Sequence, residues 1–180
     1  VGADRADPAG SQSGSSYVVF GRTASNPFPA TLPLLSLDGS NGFRLDGVAQ
    51  YDNSGTSVSA AGDVNGDSLD DLIVGAPNAD PAVSYSGSSY VVFGRATGNP
   101  FPATLPLSSL NGSNGFRLDG VATYDGSGAA VSEAGDVNGD GLDDLIIGAP
   151  GSDPAARGSS YVVFGRIEDA IFADGFDETP

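Results

Sequence analysis

Asp63-Val64-Asn65-Gly66-Asp67-Ser68-Leu69-Asp70-Asp71-Leu72-Ile73-Val74-Gly75 sets an oxygen-rich acidic turn directly before a continuous apolar run. The stretch returns as Asp136-Val137-Asn138-Gly139-Asp140-Gly141-Leu142-Asp143-Asp144-Leu145-Ile146-Ile147-Gly148. An apolar run without alternation reads as a strand buried on both faces. Its neighbours decide what kind of sheet it belongs to.

The chain repeats itself over long distances, and such repetition has to be read first. Gly14-Ser15-Ser16-Tyr17-Val18-Val19-Phe20-Gly21-Arg22 recurs letter for letter at 87–95 and 158–166, steps of 73 and 71 residues. Gly39 to Ala49 recurs at 112–122. One repeat divides into four strands. Strand A, 55–62, is made of small residues with one larger apolar side chain. Strand B, 71–75, and strand C, 89–94, are apolar on both faces. Strand D, 115–120, alternates apolar and charged residues and so has one wet face. Crowded, buried, buried and half-wet, in that order, describes the blade of an all-β propeller with four antiparallel strands. A sandwich would alternate on most of its strands.

Val1-Gly2-Ala3 aligns with Val74-Gly75-Ala76, so the chain is out of phase with its blades. Residues 1–53 are expected to hold the end of B, then C and D. Residues 54–126 make one complete blade, 127–166 supply A, B and C, and 167–180 form a tail with no counterpart to a fourth strand. About two and a half blades are present, and propellers close with about four to eight. The long C-to-D connections both carry Asn-Pro-Phe-Pro-Ala-Thr-Leu-Pro-Leu, at 26–34 and 99–107. In the first of them Phe28, Leu32 and Leu34 are expected to pack back over the blade edge.

Composition agrees with an all-β chain: 27 Gly, 12 Pro, three Glu and no Lys. A net charge of −16 excludes the cationic footprint that nucleic acid or an anionic membrane surface requires. Without Cys there is no disulfide, zinc-thiolate site or cysteine nucleophile. Without His, Cys or Lys, triads and Schiff bases are excluded as well. Paired carboxylates such as Asp70 and Asp71 could serve a glycosidase. They sit in a turn that occurs twice, however, which is unlike a single cleft. No segment approaches 18 consecutive apolar residues.

The acidic turns ask for a cation. Several carboxylates in one tight turn repel one another unless an ion or solvent intervenes. Calcium takes six to eight oxygens. Positions 1, 3, 5 and 9 offer Asp63, Asn65, Asp67 and Asp71, with the Leu69 carbonyl at position 7. In the second copy they offer Asp136, Asn138, Asp140 and Asp144, with the Leu142 carbonyl. Asp70 and Asp143, at position 8, should point away unless one reaches back as an acceptor. A plain solvated hairpin with Asx-turns is the alternative. An EF-hand is not: position 12 is Val74 or Ile147, and no helix flanks either loop.

With Gly75-Ala76-Pro77 and Gly148-Ala149-Pro150 following the two loops, residues 1–166 resemble the FG-GAP repeats of integrin α-subunit propellers and their bacterial surface relatives. The resemblance implies calcium in the A–B loop at those same positions. Two departures stand out. The aromatic of the Phe-Gly pair is replaced in Ser54-Gly55 and Ser127-Gly128, and Ser68 stands where the second loop has Gly141. If that position needs a positive φ, Ser68 is strained and the first loop binds more weakly.

The expected function is therefore a non-catalytic module holding two calcium ions, extracellular or on a cell surface, for adhesion or recognition of a protein or glycan. The alternatives are a unit that self-associates through open blade edges into a ring or filament, or a fragment of a longer propeller. A partner that is nucleic acid, and insertion into a membrane, are not expected.

Overall fold

The computed structural model describes residues 1–151 and 158–167. Its strands are β1 (Gly2–Ala3), β2 (Ser15–Val19), β3 (Gly42–Asp46), β4 (Ser57–Gly62), β5 (Asp71–Ala76), β6 (Ser88–Val92), β7 (Thr104–Pro106), β8 (Gly115–Asp119), β9 (Ala130–Gly135), β10 (Asp144–Ala149) and β11 (Ser159–Val163). They form three sheets, ordered β1-β2-β3-β7, β4-β5-β6-β8 and β9-β10-β11. The middle sheet is a whole propeller blade with A, B, C and D antiparallel in chain order. The first sheet holds the end of B, then C and D. The third holds A, B and C. The tail beyond Ile167 lies outside the described residues.

The doubly apolar strands are explained by what flanks them. Successive side chains of a strand point to opposite faces. Val74, Ala76, Tyr90 and Val92 therefore meet Phe43 and Leu45 of the first blade. Ile73, Val91 and Phe93, on the other face, meet Leu145 and Ile147 of the third. The core is thus two apolar seams, one on each side of the middle blade. The innermost strands β4 and β9 lie together, and the Ser57 hydroxyl donates to the Gly128 carbonyl at 2.7 Å across the gap. Small residues on strand A leave room for that approach. Ser54, in the place of the missing aromatic, is buried against the Gly14 backbone.

The C-to-D connections depart from expectation. The second does not fold back over its own blade but crosses to the preceding one. There β7 runs parallel to β3, with Leu105 opposite Leu45. Phe101 stacks on Phe43 at 4.0 Å between ring centres, and the Arg95 guanidinium lies 4.8 Å from the Phe101 centroid. The first connection has the same sequence but forms no strand. Its Phe28 is 49% exposed beneath Arg22, and Leu32 and Leu34 are only half-buried. What differs is the neighbour: among the described residues the middle blade has another blade on that side and the first has none.

These identical segments should respond differently to the same change. Phe101→Ala is expected to lower unfolding free energy by about 2–3 kcal/mol. Phe28→Ala should stay within about 0.5 kcal/mol of the parent. Urea unfolding of the two variants checks this, and equal losses would contradict the crossing.

Candidate metal centre

The two A–B turns fold alike, residue for residue. Asp63 Oδ1 accepts the Gly66 and Asp67 N–H groups at 2.8 and 3.1 Å, and Oδ2 accepts that of Ser68 at 2.8 Å. Asp136 does the same with Gly139, Asp140 and Gly141, at 2.7, 3.1 and 2.9 Å. The Gly141 N–H in particular holds Asp136 below the usual carboxylate range. Asn65 Oδ1 accepts the Asp67 N–H, Asp67 Oδ1 accepts the Leu69 N–H, and Asn65 Nδ2 donates to Asp67 Oδ2. Asn138, Asp140 and Leu142 repeat those contacts. The side chains at positions 1, 3 and 5 thus gather the backbone into a concave turn.

Position 9 has another task. Asp71 and Asp144 are fully buried at the start of β5 and β10. Asp71 accepts the Val64 N–H at 3.1 Å and the Gly94 N–H at 2.7 Å. Asp144 accepts those of Val137 and Gly165 at 2.9 and 3.0 Å. Each carboxylate so ties the head of its loop to the end of strand C. Burial pushes the Asp71 carboxyl up to about 6, against the two N–H bonds that pull it down. The ion pairs among the described residues, Arg44–Asp46 and Arg117–Asp119, lie on β3 and β8, away from both loops.

Position 8 does reach back, in one copy. Asp143 Oδ2 accepts the Asp63 N–H at 2.9 Å, and the Asp143 N–H donates to the Asp63 carbonyl at 3.1 Å. This reciprocal clasp joins the two loops across the blade interface, and Leu142 lies over Gly66 beside it. Gly62 makes it fit: its φ is +66°, and a Cβ there would fall on the Asp143 carboxylate. Asp70, the matching residue of the first loop, is exposed. Leu69 lines the seam between the first two blades with Phe20, Phe43 and Phe101, so its side chain points inward. The Asp143 clasp was not legible in the spacing. The only hint was that the Asp-Asp doublet occurs in both loops.

The donors suit a hard cation in kind, being oxygens only. A carboxylate offers about four lone-pair sites, so Asp63, Asp67 and Asp71 keep capacity beyond their N–H bonds. Among the described residues no three acidic side chains converge closely enough to form a metal cluster. Position 6 has a positive φ in both loops, +67° at Ser68 and +89° at Gly141.

The family model "FG-GAP repeat" matches residues 54–92 and 127–163. Human integrin alpha-IIb is 35% identical over 130 residues, 69% of this chain and 12% of that protein. Xenopus laevis integrin alpha-5 is 34% identical over 129 residues, 69% of this chain and 11% of its own length. Rat phosphatidylinositol-glycan-specific phospholipase D is 31% identical over 145 residues, 79% of this chain and 15% of that protein. The chain thus spans only about an eighth of the length of these curated relatives.

Asp143→Ala removes a charged acceptor at a partly covered interface and should cost about 1–2 kcal/mol. Asp143→Asn keeps an acceptor oxygen and should recover most of it. Asp70→Ala should be close to neutral. Thermal unfolding of the three variants checks the order, and an equal effect at positions 70 and 143 would remove the clasp.

Proposed function

The chain carries FG-GAP repeats at residues 54–92 and 127–163, and from that premise we propose that it is a non-catalytic, calcium-binding propeller module of an extracellular or cell-surface protein, used for adhesion or ligand recognition. The observation that carries the calcium reading is the duplicated turn. Two loops of different flanking burial adopt one hydrogen-bond pattern. Each has a buried position-9 carboxylate, and no basic side chain among the described residues pairs with it. A calcium ion supplies the missing positive charge. Asp63, Asn65, Asp67, Asp71 and the Leu69 carbonyl would hold one, and Asp136, Asn138, Asp140, Asp144 and the Leu142 carbonyl another. Ions so placed fasten strand A to strand B, which makes them structural.

Recognition then falls to other surfaces. Integrin α subunits among the relatives support a protein ligand, and the oxygen-only loops suit calcium-rich surroundings outside cells, where weak sites fill. The phospholipase shares sequence with this chain, but His, Cys and Lys are all absent here, and no catalytic role is proposed. No helix among the described residues is long and apolar enough to cross a membrane. A second reading, self-association through blade edges, draws on β11. Among the described residues it pairs on one side only, and its Val162 is exposed.

An ion present at 100 times its Kd stabilises the fold by about 2.7 kcal/mol per site. Chelator should therefore lower the melting temperature clearly. Asp140→Ala should shrink that response more than Asp67→Ala, because strained Ser68 weakens the first site. A melt indifferent to chelator would falsify the calcium reading. Sedimentation velocity in millimolar calcium tests the second reading: one monomeric species at every concentration removes it.

A further inference from the structure

Both seams of the molecule join the same two kinds of face. Towards the first blade the middle blade turns Val74, Tyr90 and Val92, and towards the third it turns Ile73, Val91 and Phe93. Strand C is Ser-Ser-Tyr-Val-Val in all three blades, so each outer blade carries both faces and uses one. On the third blade Leu145, Ile147 and Val163 enter the seam. Alternation turns Ile146, Val162 and Phe164 the other way, where they are 39, 48 and 53% exposed. These three repeat Ile73, Val91 and Phe93. On the first blade Val18 and Phe20 enter the seam, which turns Tyr17 and Val19 outward, both half-buried. Val1 joins them at 70% exposure, its carbonyl accepting the Tyr17 N–H at 2.8 Å. These three repeat Val74, Tyr90 and Val92.

Among the described residues no further blade covers either outer face. Grouped apolar side chains left in water mark an interaction surface. The two outer faces are unlike, one being each half of a seam, and the seams show that such halves fit. We propose that the partner of each face is a second copy of this chain, seated head to tail. Ile146, Val162 and Phe164 of one copy then pack on Val1, Tyr17 and Val19 of the next. A contact of this kind adds copies in one direction, into a ring where the rotation closes and into a filament where it does not. The inference rests on the self-association reading and specifies its surface: the outer face of β10 and β11, not the hydrogen-bonding edge of β11.

Sedimentation velocity of the full chain should show a mass that rises with concentration, in enough salt to screen the charge of −16 on each copy. Ile146→Glu should abolish that rise and keep the parent's far-ultraviolet spectrum. β10 is paired on both sides, so this change leaves the edge of β11 intact. A second measurement does not depend on that variant. The chain has no Cys, so a short bismaleimide joins only the cysteines introduced. Val162→Cys mixed with Val19→Cys should give a covalent dimer, because these positions repeat Val18 and Val92, which share the first seam. Neither variant alone should do so. Association that survives Ile146→Glu, or Val162→Cys that crosslinks to itself, overturns the face contact and leaves edge pairing standing. A parent chain that stays monomeric at every concentration overturns both.

Discussion

A sheet whose two middle strands are apolar on both faces cannot stand alone in water. Every layer of this molecule answers that constraint. Val74 and Tyr90 turn one way and Ile73 and Val91 the other, so the middle blade needs a neighbour on each side. A four-stranded sheet covered twice is stable only as one of a series. The half-wet strand D can stand at the rim, and the small residues of strand A allow close approach at the inner end. The crossing of β7 to β3 follows from the same need, because Phe43 and Leu45 require cover that their own blade does not supply.

Polar groups hold the layers in register. The buried Asp71 and Asp144 each bridge two backbone N–H groups that belong to different parts of a blade. Burying a carboxylate is costly unless hydrogen bonds or a cation compensate. The position therefore places strict demands on its surroundings, and the turn above it is shaped accordingly. Asp143 extends this logic from one blade to the next by accepting from the backbone of the neighbouring loop. The A–B turns are thus joints between blades as well as turns within them.

Strand order, strand character and the two loops were legible in the sequence because repetition displays each pattern more than once. β2, β6 and β11 are all Ser-Ser-Tyr-Val-Val, which makes their shared role plain. Contacts between blades were not legible. Asp143 meets a backbone group 80 residues away, and local spacing contains no trace of such a partner. The connections at 26–34 and 99–107 are the clearest case, since one sequence has two outcomes. What decides between them is whether a blade stands in front. Ser68 shows the intermediate situation: comparison with Gly141 pointed to a positive φ, but the angle itself had to be seen.

Strands that are copies of one another also bear on how the chain reaches its fold. β5 can form the same hydrogen bonds and side-chain pairs with β2, β6 or β11, because the three are chemically indistinguishable. Only connectivity favours β6, through an eleven-residue loop at 77–87, against a separation of more than eighty residues to β11. Loop-closure entropy makes that difference worth about 2 kcal/mol, a thin margin against a pairing that is otherwise perfect. Folding in order from the N-terminus would widen it, since β6 emerges and pairs before β11 exists. Refolding of the whole chain from denaturant offers no such sequence of events, and exchanged strands are its natural trap.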